Sequence, residues 1–279
     1  MWRFLIKRAG LALVTLLCVS VILFAVAQVL PGDVGRAILG PWATEVQVRA
    51  LDHQLGVDRL KNSLILGAFA LCLIVPTSIW LGVVAALSYG KWLDRCISIA
   101  GLSLIALPEF VTGIIVLAIF AVELGWLPAS AHVPGLNPLS WFRQLLLPSI
   151  PLMFVLFGYI SRMARAGTVE SLRSNYVRTA ILKGLPRRTV IWTHVLRNSL
   201  LPTITVISVQ TGYLVGGLVV TETLFNYPGI GKLVLDSAIG HDLPVLQATV
   251  LLVAILYMVL ALAADLLYTL LNPRIRLSA

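Results

Sequence analysis

The sequence predicts an all-α protein that crosses a membrane about six times, and three observations support this. Hydrophobic residues make up 59% of the 279-residue chain and charged residues only 12%, whereas soluble domains carry about 25% charged residues. The apolar residues form blocks of roughly 20, the length that a helix needs to cross about 30 Å of hydrocarbon. Lysine and arginine collect between particular blocks, a bias typical of polytopic membrane proteins.

Six apolar segments are predicted to span the membrane: residues 10–30, 63–88, 96–122, 144–160, 199–220 and 245–271. The first is longer than the apolar core of a signal peptide, about 7–15 residues, so we interpret it as a retained helix. Pro76 is predicted to kink the second span, and Pro108-Glu109 to interrupt the third. We therefore divide the chain into residues 1–62, holding the first span and an outer segment, and 63–279, a core of five spans with a loop at 161–198. A short amphipathic helix is also predicted at 45–55, and loops at 124–143 and 221–244.

The basic residues predict the orientation of the chain. Of the 21 lysines and arginines, 15 fall on one side of the predicted spans and six on the other. The richer side is expected to be cytoplasmic, which places both termini there in a multi-pass protein. The net charge of +9 is explained by this topology, so no nucleic-acid partner is expected.

The loop at 161–198 is the most basic segment of the chain. A helix is predicted over 169–183, with Gly184 as its C-terminal cap and Pro186 in the first turn of a second helix. The second helix leads toward the fifth span, so the loop is predicted to form a helix–turn–helix elbow. Its composition alone fits either a topogenic or lipid-contacting loop or a docking surface for a soluble partner.

Several stretches resemble one family. Residues 176–186 (YVRTAILKGLP) and 194–202 (HVLRNSLLP) are similar to the cytoplasmic coupling motif of binding-protein-dependent ABC importer permeases, and more narrowly to the dipeptide, oligopeptide and nickel branch. The resemblance continues at 2–8, 30–33, 221–231, 265–268 and 272–276. It implies a type I ABC importer permease fold in a bacterial cytoplasmic membrane.

The resemblance also implies a function and partners. The chain would form half of a pathway for di- or oligopeptides, with nickel or glutathione as alternative cargo. Its partners would be a homologous permease, two cytoplasmic ATPases, an extracytoplasmic binding protein and membrane lipid. ATP and Mg would bind to the ATPases, so this chain would hold no cofactor, metal or catalytic residue. The implied ATPase-coupling residues are Arg178, Thr179, Ala180, Lys183, Gly184, Leu185, Pro186 and Arg187.

Two features depart from the family pattern. The general coupling motif begins Glu-Ala-Ala, whereas this chain has Arg178-Thr179-Ala180, which removes an acidic contact. Family members also carry a longer outer segment before the second span. Either that segment is deleted here, or the sequence skips residues between Asp58 and Arg59, which is the explanation we favour.

Pathway or gate candidates were chosen from polar and small residues at membrane depth. Thr203, Gln210 and Gly217 are seven residues apart and so share one helix face. Such residues face either the protein interior or a water-filled cavity, and helix packing is the alternative that Gly212 and Gly216 support. The remaining candidates are Glu222 and Asp265, and for Asp265 and Glu109 a gating or structural role is favoured over substrate contact.

The sequence disfavours three other functions. Residues 229–232 resemble a phosphate loop but lack the required first glycine and the Ser or Thr after the lysine. A self-sufficient channel or secondary transporter would often show inverted repeats, and no clear repeat is present. An intramembrane enzyme is disfavoured because neither His-Glu-x-x-His nor Gly-x-Ser-x-Gly occurs.

Overall fold

The computed structural model describes residues 45–132 and 138–271, which form helices and connecting turns without any strand. The predicted first span and both chain termini lie outside these described residues. The helices, in chain order, are α1 (Glu45–Leu87), α2 (Trp92–Ala106), α3 (Glu109–Leu117), α4 (Pro138–Leu172), α5 (Asn175–Leu182), α6 (Arg187–Thr189), α7 (Arg197–Ser199), α8 (Leu201–Leu224), α9 (Ile230–Ile239) and α10 (Leu243–Leu271). Two π-helical segments, Ala118–Glu123 and Val190–Leu196, extend α3 and join α6 to α7.

Four stretches in the described part of the chain are each long and apolar enough to cross a membrane: Arg59–Leu87, Leu139–Leu172, Leu201–Leu224 and Val245–Ala263. A fifth span is formed if Trp92–Ala106 and Glu109–Glu123 are counted together, although these two halves are bent by 104°. These stretches correspond to the second through sixth predicted spans, so the all-α polytopic prediction is confirmed for the described residues.

Helix α4 is the centre of the bundle, because α1, α2 and α8 all pack against it. Glycines allow the closest approaches. A Cβ atom on Gly82 of α1 would lie 2.5 Å from the Ser161 carbonyl oxygen, and one on Gly158 of α4 would collide with the Gly101 carbonyl of α2. Small residues of this kind let membrane helices meet backbone to backbone. The core around them is aliphatic, with Leu66 fully buried.

The break in the third predicted span lies where the sequence placed it. Leu107 adopts an extended conformation (φ −83°, ψ 129°), as expected for a residue that precedes proline. Pro108 then caps the first turn of α3, where its carbonyl accepts a hydrogen bond from the Val111 N–H at 3.0 Å. The chain therefore changes direction between two short apolar helices.

The structure corrects several predicted boundaries. Helix α4 continues through Leu172, so the segment 161–172 is not part of the basic loop. The predicted helix over 169–183 is interrupted, and α5 begins only at Asn175. Helix α9 lies inside the predicted loop 221–244, and α4 begins inside the predicted loop 124–143. The predicted short helix at 45–55 is the start of α1, which runs without interruption past residues 58 and 59 and contains Pro76.

An ion pair explains why α4 stays helical through its polar end. Arg165 donates to both carboxylate oxygens of Asp94 at 2.5 and 2.8 Å, and the Gly90 N–H donates to the same carboxylate at 3.0 Å. Asp94 is only 3% exposed. The guanidinium groups of Arg165 and Arg173 both lie over the Tyr89 ring, 5.3 and 5.2 Å from its centre. The α1–α2 turn is thus tied to α4.

Replacing Arg165 with alanine is expected to destabilise the protein by about 2 kcal/mol, because it leaves a buried carboxylate without its charge partner. The value is reduced from that of a fully buried pair because the Arg165 side chain is 29% exposed and is partly screened by solvent. Thermal unfolding in detergent measures the change, with the exposed Arg162→Ala as the matched control. Adding Asp94→Asn to Arg165→Ala should recover stability, and no difference between Arg165→Ala and the control would contradict the role of the pair.

Candidate functional site

The elbow between α5 and α8 is built around a glycine turn. The Gly184 N–H donates to the Ile181 carbonyl at 2.9 Å, and the Leu185 N–H donates to the Ala180 carbonyl at 3.3 Å. Gly184 itself has φ +77°, in the left-handed region that glycine adopts without a Cβ penalty. This is the Schellman arrangement, so the predicted C-terminal cap at Gly184 is confirmed.

The second arm of the elbow runs from the turn into α8. Pro186 immediately precedes α6, and its carbonyl accepts the Val190 N–H at 3.1 Å. The helical path continues through the π-helical segment Val190–Leu196 and α7 to Leu200, the N-cap of α8. The sequence predicted a helix here but not its π geometry. The elbow is therefore joined to a membrane span by a nearly continuous helical connection.

The two arms of the elbow share a small core of their own. Val177 and Ala180 of the first arm are buried against Val190 and Val195 of the second, and Leu172 packs onto them. At the base, Gly167 of α4 lies so close to Ser199 that a Cβ atom would collide with the Ser199 carbonyl. The elbow is thus a packed unit that contacts both α4 and α8.

The residues predicted to couple to an ATPase gather at the tip of this unit. All of them are exposed except Ala180, which lies inside the elbow core. Leu182 is 79% exposed and Ile181 is 61% exposed, although neither lies in a predicted membrane span. Large apolar side chains exposed beside Lys183 and Arg187 are typical of a protein interaction surface.

Glu222 lies at the opposite end of α8 and is fully buried. Its carboxylate accepts hydrogen bonds from the Ser63 hydroxyl at 2.5 Å and from the backbone N–H groups of Gly231 and Lys232 at 2.7 and 3.2 Å. Because Gly231 and Lys232 belong to the first turn of α9, the carboxylate sits at a helix N-terminus, where negative charge is favoured. Glu222 therefore joins α1, α8 and α9.

Further hydrogen bonds tie the α8–α9 connection to α1. The Asn62 amide donates to the Pro228 carbonyl at 2.8 Å, and the buried Tyr227 hydroxyl donates to the Asn62 carbonyl at 3.2 Å. Burial raises the pKa of Tyr227, with a contribution from the Glu222 charge, so the phenol keeps its proton. We call the group Asn62, Ser63, Glu222, Tyr227 and Gly231 the latch.

The glycines of the latch region leave room for the carboxylate. A Cβ atom on Gly229 would collide with the Glu222 carboxylate, and one on Gly231 would lie 2.5 Å from the Val219 Cα. The segment 229–232 also resembles a phosphate loop, but its N–H groups at Gly231 and Lys232 are used by Glu222. These residues therefore do not fit an ATP phosphate.

The pathway candidates on α8 share one face, as their spacing predicted. This face packs against other helices of the same chain, which buries Thr203, Gln210 and Gly217. Among the described residues, the Thr203 hydroxyl and the Gln210 amide nitrogen have no hydrogen-bond partner. The candidate Asp265 lies on α10, but its side chain is outside the described part of the structure.

A neighbouring face of α8 holds no candidate predicted from the sequence. Val209, Tyr213 and Gly216 are exposed, and a Cβ atom on Gly216 would have no other described residue within 4 Å. Their spacing of three and four residues is the signal that could have identified this stripe. Among the described residues, no three His, Cys, Asp or Glu side chains are grouped as metal ligands.

A bundle of apolar helices with a packed elbow outside its spans is the architecture of a polytopic membrane protein. The chain belongs to the family described as binding-protein-dependent transport system inner membrane component, whose sequence model matches residues 78–277. The model of the N-terminal part of such membrane components matches residues 1–71. The chain is therefore the permease component of an ATP-driven importer.

Two relatives and one solved structure illustrate the likeness. A protein of Brucella abortus, named for a peptide transport system permease, is 31% identical over 312 aligned positions that cover 99% of both chains. The glutathione transport system permease protein GsiC of Escherichia coli is 33% identical over 313 positions, again covering 99% of both. The MetNI methionine ABC transporter, solved in inward-facing conformations, shares the fold with a TM-score of 0.61 at 17% identity, covering 82% of this chain and all of that one.

Proposed function

We propose that this chain forms half of a pathway for short peptides and docks a cytoplasmic ATPase at the tip of its elbow. The observation that supports the docking is the exposed tip itself. Leu182, Lys183 and Leu185 extend from a turn held by its own small core. A rigid surface of this kind suits a cleft on a soluble partner.

The connection from the elbow to α8 supports a mechanical role. When two ATPases close on ATP, they would displace the elbow, and the arm from Pro186 to Leu200 would transmit that displacement to α8. The contact between Ser199 and Gly167 would carry the same displacement to α4. ATP and Mg would bind to the ATPases, and this chain would take no chemical step in hydrolysis.

The charge distribution supports a cytoplasmic position for the elbow. Lys183, Arg187 and Arg188 are exposed on it, and Lys91 and Arg95 are exposed at the α1–α2 turn near the same end of the bundle. Positive residues favour the cytoplasmic side of a membrane. On this orientation both termini are cytoplasmic, and the latch faces the opposite side, where a substrate-binding protein would deliver the cargo.

Short peptides are the proposed cargo because of the relatives' names. One is named for peptide transport and another for glutathione, which is itself a tripeptide. The complete assembly would contain a second, homologous permease, two ATPases and one binding protein. Nickel complexes stay the alternative cargo, and uptake assays with the cognate binding protein would separate the two.

Replacing Leu182 with serine is expected to weaken ATPase association with the permease at least about tenfold, because an exposed apolar anchor at an interface centre contributes strongly to binding. Co-purification of the ATPase from detergent-solubilised membranes measures this, alongside ATP-driven uptake in proteoliposomes. The control is Thr193→Ala, an exposed position on the second arm away from the tip.

Two outcomes would contradict the proposal. If Leu182→Ser and Thr193→Ala retain the ATPase equally, the tip is not the docking surface. If the purified chain moves peptide across liposomes without any ATPase, the protein is a self-sufficient channel or transporter instead.

A further inference from the structure

A carboxylate lies at the break between the two half-helices of the third predicted span. Glu109 is the first residue of α3, directly after Pro108. Its side chain lies against Gly217 of α8, where a Cβ atom would be 2.7 and 2.9 Å from the two carboxylate oxygens. Gly217 thus provides the notch that accommodates the carboxylate within the bundle.

The carboxylate of Glu109 is not fully satisfied by the protein. Its Oε1 atom is buried and has no hydrogen-bond donor among the described residues. It borders a cavity of about 10 Å³ that is otherwise lined by four aliphatic side chains, Gly217 and Tyr213. An ionised carboxylate in apolar surroundings needs either a positive partner or a proton, and ionisable side chains at membrane depth are candidates for functional sites.

The dimensions of the cavity limit what can compensate the carboxylate. One water-sized group needs roughly 10–15 Å³, so the cavity has room for at most one such group, a water molecule or a primary ammonium head, and not for a planar guanidinium. Tyr213 also lines the cavity, and a tyrosine ring attracts a cation that lies over its face. No described lysine or arginine side chain forms an ion pair with Glu109, so a cation that pairs with this carboxylate would come from outside this part of the chain.

The cavity lies next to a surface along which cargo could move. Tyr213 lines the cavity and is also 57% exposed, in the same α8 stripe as Val209 and Gly216. Broken helices at membrane depth are also where transporters place their binding sites.

We propose that Glu109 is a subsite for the primary ammonium group of the cargo, which for a peptide is its amino terminus. This subsite rests on the proposed function in peptide import. It adds a selection step within the membrane to whatever selection the binding protein makes.

The first test is site-specific and uses the wild-type protein in the complete importer. A hydrophobic carbodiimide labels buried carboxyl groups, and mass spectrometry measures the modified fraction of Glu109. A free-amine peptide and methylammonium are each expected to lower this labelling several-fold, whereas the N-acetylated peptide leaves it unchanged. Equal labelling in all three conditions would overturn the subsite.

Changing the cation of the medium distinguishes binding of the cargo at Glu109 from binding of an inorganic cation. The labelling is repeated with Na⁺ or K⁺ against choline as the medium cation, in the absence of peptide. Protection by Na⁺ or K⁺ as strong as that by methylammonium would assign the site to an inorganic ion and overturn the cargo assignment. If the importer moves no peptide but methylammonium still protects Glu109, the peptide function fails while the ammonium site stands.

The second test measures transport by Glu109→Gln, which keeps the shape and removes the charge. Uptake of a free-amine peptide below saturation is expected to fall at least tenfold, while the affinity of the binding protein and basal ATP hydrolysis stay unchanged. Glu123→Gln, at an exposed carboxylate in the same segment, serves as the control. Uptake equal to that of the control would count against Glu109 as a cargo contact.

Discussion

Replacing Glu222 with alanine is expected to lower the free energy of unfolding by about 3–5 kcal/mol. The change leaves the buried N–H group of Gly231 and the part-buried N–H group of Lys232 without their acceptor, and a buried donor without a partner costs about 1–3 kcal/mol. It also removes the contact with the Ser63 hydroxyl and so weakens the attachment of α8 and α9 to α1. Thermal unfolding of the purified protein in detergent measures the effect as a lower midpoint.

Two matched variants show whether the latch causes this loss. Glu222→Gln keeps one acceptor oxygen and the side-chain shape, so it should cost about 1–2 kcal/mol. Glu123→Gln changes an exposed carboxylate and should stay within about 0.5 kcal/mol of wild type. A Glu222→Ala protein as stable as Glu123→Gln would show that the latch does not hold the helices together.

Gly231→Ala disturbs the same latch at the residue whose N–H donates to the Glu222 carboxylate. The added Cβ would lie 2.5 Å from the Val219 Cα and 3.0 Å from a Glu222 oxygen, so either α9 or the carboxylate has to shift. The two single changes disturb the same contacts and should therefore be non-additive in a double-mutant cycle. If the two changes in unfolding free energy are fully additive, Gly231 does not act through its contact with Glu222.

The features that the sequence predicted well depend on neighbouring residues. The turn at Gly184 follows from a glycine placed after a helical pattern and before Pro186, and the structure forms it with two backbone hydrogen bonds. The break at Pro108 follows equally from proline geometry, which acts on the preceding residue. Both predictions use information within about four residues, so they do not depend on how the helices assemble.

The features that the sequence did not predict depend on distant partners. Glu222 meets Ser63 across 159 positions of sequence, and Asp94 meets Arg165 across 71. From the local sequence alone, the polar end of α4 is predicted to be a loop, and the segment that contains α9 is likewise predicted to be a loop. Their helical state is stabilised by tertiary contacts, which a local pattern of hydrophobicity does not contain.

Helix α8 shows both a feature that its local sequence predicts and one that depends on distant partners. The seven-residue spacing correctly predicted that Thr203, Gln210 and Gly217 lie together. Spacing gives no direction, however, and packing against α4 turned that face inward and left Tyr213 outward. The sequence therefore identified the periodicity of the helix but not which side is available to cargo or to a second subunit.

Replacing Gly184 with valine is expected to lower peptide uptake by the complete importer at least tenfold, while ATP hydrolysis and membrane insertion persist. Valine is strained at φ +77°, by roughly 1–2 kcal/mol per residue in this region, and the strain acts on the two hydrogen bonds of the turn. Beyond the two adjoining residues, no described part of the chain lies within 4 Å of the position where a side chain would begin. We therefore expect the added bulk to meet a docked partner rather than the described part of this chain.

The effect of strain has to be separated from the effect on docking, and Gly90 provides the comparison. Gly90 also has φ +77° and open space around it, but it lies in the α1–α2 turn rather than in the elbow. Gly90→Val should cost similar stability yet keep transport coupled to ATP hydrolysis. Gly184→Asn, which tolerates the left-handed conformation, should retain more uptake than valine. If both valine variants uncouple equally, backbone strain is sufficient as the cause and the elbow has no special role; if only Gly184→Val uncouples, the turn transmits the motion of the ATPase.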